Sequence, residues 1–316
     1  MNSNLCCVYL GDKLADYSFG DNHPFGPQRH HVFKQAFYQQ SLNQKVDILS
    51  PVKTNRQVLE RFHTTDYINK IIEQSKFGVG YLDKGDTPAF INMFDAVCYV
   101  AGSVVNAAEQ LMSGHYKRAF IPIAGLHHAQ RHSAAGFCIV NDCGIAIETL
   151  LKKYKLQRVA YIDIDAHHGD GVYYSFEDEP RLIFCDIHED GQFLYPGTGA
   201  IDETGKNDAV GTKLNIPMPP QADDQLFFKI WPQVEKFIEK HKPEFILFQC
   251  GADSIKGDPI THLAYSEKAH AYATNRLLKL AEKHCDGKLL VMGGGGYNHR
   301  NIAKTWTAVV DTLSKQ

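Results

Sequence analysis

Apolar, β-branched runs recur along the chain at 5–10 (LCCVYL), 46–50 (VDILS), 118–123 (RAFIPI), 158–164 (RVAYIDI), 181–187 (RLIFCDI), 212–218 (TKLNIPM), 244–250 (EFILFQC) and 288–292 (KLLVM). Their hydrophobicity is continuous rather than alternating, which suits strands buried on both faces of a parallel sheet. Between many of them lie stretches with helical spacing of apolar positions, at 94–112, 142–155, 225–240 and 266–284. Strands alternating with helices predict βαβ units. The expected fold is a single α/β domain over 1–316, with a predominantly parallel eight-stranded sheet and helices on both faces. No internal repeat, low-complexity segment or Pro/Ser-rich linker interrupts the pattern.

Polar clusters sit where these strands end. His127 and His128 follow 118–123, Asp163 to Asp170 close 158–164, Asp253 follows 244–250, and Gly293 to Tyr297 follow 288–292. Open parallel sheets bind ligands outside the carboxyl ends of their strands. Four segments distant in sequence are therefore expected to converge on one sheet edge.

The segment YIDIDAHHGDG carries the sharpest signal. In an extended chain side chains alternate faces, so Asp163, Asp165 and His167 point the same way. Burying two carboxylates and an imidazole together without compensation is costly, and a divalent cation removes that penalty. An Asp-rich strand end opening into solvent would explain the same letters without a metal. Asp253, in QCGADS, is alone no more than a turn or cap residue, but its place on the same edge makes it the third ligand. An Asp, His, Asp set suits Zn²⁺, and its excess of oxygen donors also admits Fe²⁺.

In GLHHAQ the adjacent His127 and His128 read most plainly as loop histidines. Asp163 and Asp170 change that weighing, because each can accept a hydrogen bond from one imidazole, fixing its tautomer and raising its basicity. Such a base would take the proton of a water activated by the cation. MGGGGYNHR lacks a following Lys-Ser/Thr, and no GxGxxG stands in the first βαβ unit, which argues against nucleotide binding. The glycines instead allow a sharp bend passing close to a bound group. Tyr297 at their end can donate to a carbonyl oxygen, although in isolation it would read as a core tyrosine.

Composition narrows the classes. The formal net charge is −3 with no basic run, so no nucleic-acid footprint is expected. No stretch approaches a membrane span, and MNSNLCCVYLGDK lacks the basic start and apolar length of a secretion signal. The expected location is cytoplasmic, without membrane partners. The eight cysteines form no CxxC pair, which predicts buried reduced thiols. Histidine is the outlier: six of 16 (127, 128, 132, 167, 168, 188) crowd the region of the strand-end clusters.

LHHA, GFC (136–138), DIDAHHGDG (163–171), YPGTG (195–199), GADS and GGGGYN occur in that order and resemble the histone deacetylase superfamily, as does HPFGPQRH (23–30). The likeness spans nearly the whole chain and implies the arginase/deacetylase fold. It is nearest in style to compact bacterial members, including acetoin-utilisation-type proteins. The resemblance implies zinc on Asp165, His167 and Asp253, with a structural K⁺ near Asp163, Asp165 and His167. His128, paired with Asp170, would be the general base and then acid. His127, paired with Asp163, would be its electrostatic partner, and Tyr297 would stabilise the oxyanion. Gly136, Phe137 and Gly295 would contact substrate, with Leu194 or Tyr195 as the second tunnel wall where Phe is usual. Asp86 would hold substrate backbone at the rim, and Arg29 would lie near the acetate channel.

The implied substrate is an acetylated lysine in a peptide or protein, or a small acetylated amine such as an acetylpolyamine. Polyamine-specific members place an acidic gatekeeper where Ile260 stands, so the apolar residue favours acyl-lysine. An arginase-like binuclear hydrolase needs further carboxylates that GADS does not offer. An idle acyl-lysine binding module would not need every ligand and proton-transfer position to be chemically competent, as they are here.

Overall fold

The structure, a computed structural model, describes residues 5–315. The first four residues, part of the segment expected to lack a secretion signal, lie outside the described residues.

Each continuous apolar run forms a strand: β1 (Cys6–Tyr9), β2 (Asp47–Leu49), β3 (Arg118–Ile121), β4 (Val159–Asp163), β5 (Leu182–Glu189), β6 (Lys213–Met218), β7 (Phe245–Gln249) and β8 (Leu289–Met292). They build one sheet in the order β2-β1-β3-β8-β7-β4-β5-β6, and every pairing is parallel rather than predominantly so. The five strands from β3 to β5 are wholly buried, whereas edge strand β2 is half exposed, which is why the central runs are the most uniformly apolar.

Among the described residues the helices are α1 (Gln28–Gln39), α2 (Arg56–Leu59), α3 (Thr65–Phe77), α4 (Met93–Met112), α5 (Asp142–Glu148), α6 (Asp170–Ser175), α7 (Asp224–His241), α8 (Glu267–His284) and α9 (His299–Leu313). Side chains start several of them: Asn141 caps α5, Asp223 caps α7 and Asn298 caps α9 by accepting first-turn N–H groups. Helix α5 runs on into a π turn over Thr149–Lys153, so the expected helix 142–155 changes pitch midway.

Helices α1, α7, α8 and α9 form one packed group, and α2 to α6 another. Both α4 and α8 touch β8, which places the two groups on opposite faces of one α/β domain. Trp231, Trp306, Phe33 and Phe120 lie fully buried in this core. All eight cysteines are buried and free, as the missing CxxC pattern implied. No helix is long and apolar enough to cross a membrane, among the described residues.

Candidate active site

Sheet register brings the polar segments together. Ile121, Met292, Gln249, Asp163 and Asp186 are in register across β3, β8, β7, β4 and β5. The loops that follow these residues therefore leave from one line. They carry His127 and His128, Gly293 to Tyr297, Asp253, and Asp165 to Asp170.

Asp165, His167 and Asp253 are buried, and one donor atom from each lies within 4.8 Å of the others. The chain leaves extended geometry after Asp163, so simple strand alternation does not orient them. Instead each aspartate accepts the backbone N–H two residues on: Asp163 from Asp165 and Asp165 from His167, both at 3.0 Å. The N–H of Ala166 donates to Asp253 at 3.0 Å, and Gln249 and the Gly295 N–H donate to the second Asp165 oxygen at 2.7 and 2.8 Å. A Cβ at Gly295 would strike the carboxylates of Asp253 and Asp165, so only glycine lets this backbone pass.

His167 Nδ1 sits 3.1 Å from an oxygen of each carboxylate. Burial opposes charge on that ring, yet the two carboxylates outweigh it and carry its pKa up to about 10. Burial and then Asp165 push Asp253 up to about 7, while the adjoining imidazoles hold Asp165 well below its ordinary value despite burial. Two carboxylate oxygens and one imidazole nitrogen, buried and already oriented by backbone donors, fit a divalent cation.

Beside the triad lie two imidazole–carboxylate pairs. His127 Nδ1 is 2.9 Å from Asp163, and His128 Nδ1 is 2.6 Å from Asp170. With each Nδ1–H donated to its carboxylate, the two Nε2 atoms face each other at 3.1 Å and can share one proton but not two. Burial, then the neighbouring His127, pushes His128 down to about 4 against the pull of Asp170, so the ring is neutral at neutral pH, with its Nε2 lone pair free to accept. Burial with Asp186 and Asp165 alongside pushes Asp163 well above the carboxylate range, and the Tyr161 hydroxyl donates to it at 2.6 Å.

A cavity of about 290 Å³ opens above this floor, lined by Asp86, His128, Gly136, Phe137, His167, Leu194, Tyr195, Ile260 and Tyr297. Gly136 (φ +52) has no room for a Cβ, which would meet the His128 ring. Phe137 is held in the left-handed region (φ 66) by the Tyr17 hydroxyl on its carbonyl at 2.7 Å and by its own N–H on Thr87 at 3.1 Å. Both Leu194 and Tyr195 reach the cavity, and the Tyr195 ring stands edge-on to His128 at 5.2 Å. Gly295 instead lines a smaller space of about 20 Å³ behind the triad, with Phe25, Leu126 and Cys138. Arg29 is fully buried nearby; it donates to the carbonyls of Gly296 (2.7 Å) and Gly294 (2.5 Å) and stacks over Phe25 at 3.9 Å. Burial, with Asp253 next in weight, raises the Tyr297 phenol well above its ordinary value, so it stays a donor.

Residues 23–313 match the sequence profile described as the histone deacetylase domain. The chain belongs to the histone deacetylase family. Its relatives include the acetoin utilization protein AcuC of Bacillus subtilis, 35% identical over 93% of this chain and 78% of AcuC. Histone deacetylase clr6 of Schizosaccharomyces pombe is 33% identical over 95% of this chain and 74% of its own length, and human histone deacetylase 1 is 33% identical over 95% and 63%. The crystal structure of the HDA15 HD domain superposes with a TM-score of 0.89 at 25% identity, covering 99% of this chain and 89% of that one.

Histone deacetylase family membership makes the chain a deacetylase-type hydrolase of a generally metal-dependent class. Several residues that build the site in this family member escaped sequence reasoning. Gln249 orients Asp165, and Asp142 holds the N–H groups of Gly125 and Leu126 ahead of the histidines at 2.9 and 2.7 Å. Gln249 left a signal, as the polar residue closing an otherwise apolar strand; Asp142 left only that of a first-turn helix residue.

Proposed function

We propose that this histone deacetylase family member removes acetyl groups from the ε-amino group of acetyl-lysine in peptides or proteins, using one divalent cation, zinc or iron, on Asp165, His167 and Asp253. The observation that carries the reading is the 290 Å³ cavity: apolar walls of Phe137, Leu194 and Tyr195 lead to a floor of His128, His167 and Tyr297. That shape suits an unbranched apolar stem ending in a polar group. When bound, the cation supplies Lewis-acid polarisation of the acyl carbonyl and of water.

The remaining work falls to the chain. His128, fixed by Asp170 at Nδ1, takes the proton of the attacking water at Nε2 and returns it to the departing lysine nitrogen as the C–N bond breaks. His127, fixed by Asp163, lies 3.1 Å from His128 and spreads the positive charge that appears there. Tyr297 donates its hydroxyl to the oxygen that becomes negative. Asp86 stands exposed at the rim, where a substrate backbone N–H can reach it, and Ile260 presents no charge to hold a polyamine. Arg29 is the residue we assign to the acetate exit, and Gly295 to the floor around the acyl group. A K⁺ near Asp163, Asp165 and His167 is part of the same proposal. Eight unpaired thiols are consistent with a reducing, cytoplasmic setting.

Hydrolysis of acetyl-lysine peptides and of acetylated polyamines, compared by kcat/KM on the same preparation, tests the assignment. Peptides are expected to be the better substrates. A preference for polyamines would overturn the lysine reading while leaving a deacetylase.

A further inference from the structure

Tyr297 ends a run of four glycines, 293 to 296, of which Gly294 (φ 66) and Gly296 (φ 123) take backbone conformations that side chains disfavour. A run so free of Cβ atoms has many conformations to lose, and its course is set by bonds from outside it: the N–H groups of Gly293, Gly294 and Gly295 donate to the Ile121 and Ala124 carbonyls and to Asp165. An oxyanion donor must be held within a fraction of an ångström of its working place. The run is pinned from one side by Arg29, on the carbonyls of Gly294 and Gly296.

From the other side comes Asp258. It is buried, and its two carboxylate oxygens accept from different segments: Oδ2 from the Tyr297 N–H at 2.8 Å, Oδ1 from the Ile260 N–H at 3.1 Å. Asn298 and Asn301 extend the same seam, donating to the carbonyls of Gly257 (2.9 Å) and Lys256 (3.2 Å). The loop after Asp253 is fastened again where the Thr261 hydroxyl donates to the Asp253 carbonyl and His262 Nδ1 meets buried Glu189 at 2.7 Å. One carboxylate thus ties the donor at the cavity floor to the apolar residue at its rim.

We infer that Asp258 is a positioning residue for Tyr297, acting through the Tyr297 backbone rather than on substrate; the inference rests on the deacetylase reading above. Asp258→Asn keeps the size but can accept through only one of its two ends. The test is a cycle of Asp258→Asn and Tyr297→Phe, alone and together, on an acetyl-lysine peptide. Asp258→Asn is expected to lower kcat roughly 10- to 100-fold, with KM within about 3-fold and metal content unchanged. In the Tyr297→Phe background the same change is expected to cost less than about 2-fold, because the hydroxyl it positions is already gone. A general structural role would instead cost the same in both backgrounds, and that result would overturn the inference. Should the Asn variant not fold, Asp258→Glu carries the same cycle, its displaced carboxylate giving a smaller loss that also vanishes in the Tyr297→Phe background. A wild-type chain that hydrolyses no acyl-lysine peptide would sink the underlying reading and this role with it; an active wild type with equal costs would sink the role alone.

Discussion

The two ends of the sheet treat charge in opposite ways. At the amino ends, each charge meets a counter-charge or backbone groups. The Arg118 guanidinium donates to the carbonyls of Leu313 and Lys315 and pairs with Glu282 at 3.1 Å, Lys117 pairs with Asp286 at 2.5 Å, and Glu244 accepts the N–H groups of Gln157 and Arg158. At the carboxyl ends, Asp163, Asp165, Asp186 and Asp253 are buried together. Arg29, buried beside them, forms no ion pair with any of the four and donates to backbone carbonyls. A chain selected only to fold has no reason to gather carboxylates where water cannot reach them. The contrast locates the chemistry: the amino end is ordinary scaffold, and the carboxyl end gathers the three residues that could hold a metal ion.

The largest expected effect comes from breaking the cation site. Asp253→Ala is expected to lower deacetylation by roughly 10³-fold or more and to leave the purified protein without stoichiometric metal, as assay and metal analysis together would show. Full activity with metal retained would remove Asp253 from the ligand set. Tyr297→Phe follows, with a loss of roughly 10²- to 10³-fold in kcat and unchanged metal content. A Phe variant as fast as wild type would leave the oxyanion without its assigned donor.

Acid separates the ends more gently. Burial pushes His63 down to about 3 and His270 to about 4, and His63 Nε2 accepts the Asn141 N–H at 2.9 Å, which requires a neutral ring. Their folded pKa values lie below the unfolded value near 6.5, so the unfolded chain binds more protons as pH falls. Stability is therefore complete above about pH 6.5 and is lost on descending toward 4, by at most about 1.4 kcal/mol per pH unit for each group. Urea denaturation at pH 7.5, 5.5 and 4.5 would reveal the decline, and a flat midpoint would contradict it. The smallest effect belongs to the amino end: Lys117→Met removes one exposed ion pair and is expected to move Tm by no more than roughly 3 °C, with kcat unchanged.

Much of this contrast is legible in the sequence. Strands buried on both faces leave continuous apolar runs, and each such run became a strand within a few residues of its expected bounds. The strand-end clusters were legible because Asp, His and Gly are conspicuous beside such runs. Helices α1, α3 and α9 left fainter traces; α1 buries Arg29 and His30 along with two phenylalanines, which blurs its apolar stripe. Asp258, inside Gly-Asp-Pro (257–259), looks like any turn aspartate in the sequence, because its bond to the distant Tyr297 N–H has no spacing to betray it. The orientation of Asp165 and His167 was reached through strand alternation, whereas the chain turns there and fixes them by hydrogen bonds two residues apart.

The most direct test is calorimetric titration of chelator-stripped wild-type protein with Zn²⁺ in two buffers of different ionisation enthalpy. The two carboxylates raise the His167 pKa, and a metal ligand must be deprotonated, so binding at pH 7.5 is expected to release a proton. Binding of one equivalent per chain with net proton release, abolished in Asp165→Ala, is the predicted result. No binding, two equivalents, or one equivalent that survives Asp165→Ala would contradict a single cation held by Asp165, His167 and Asp253.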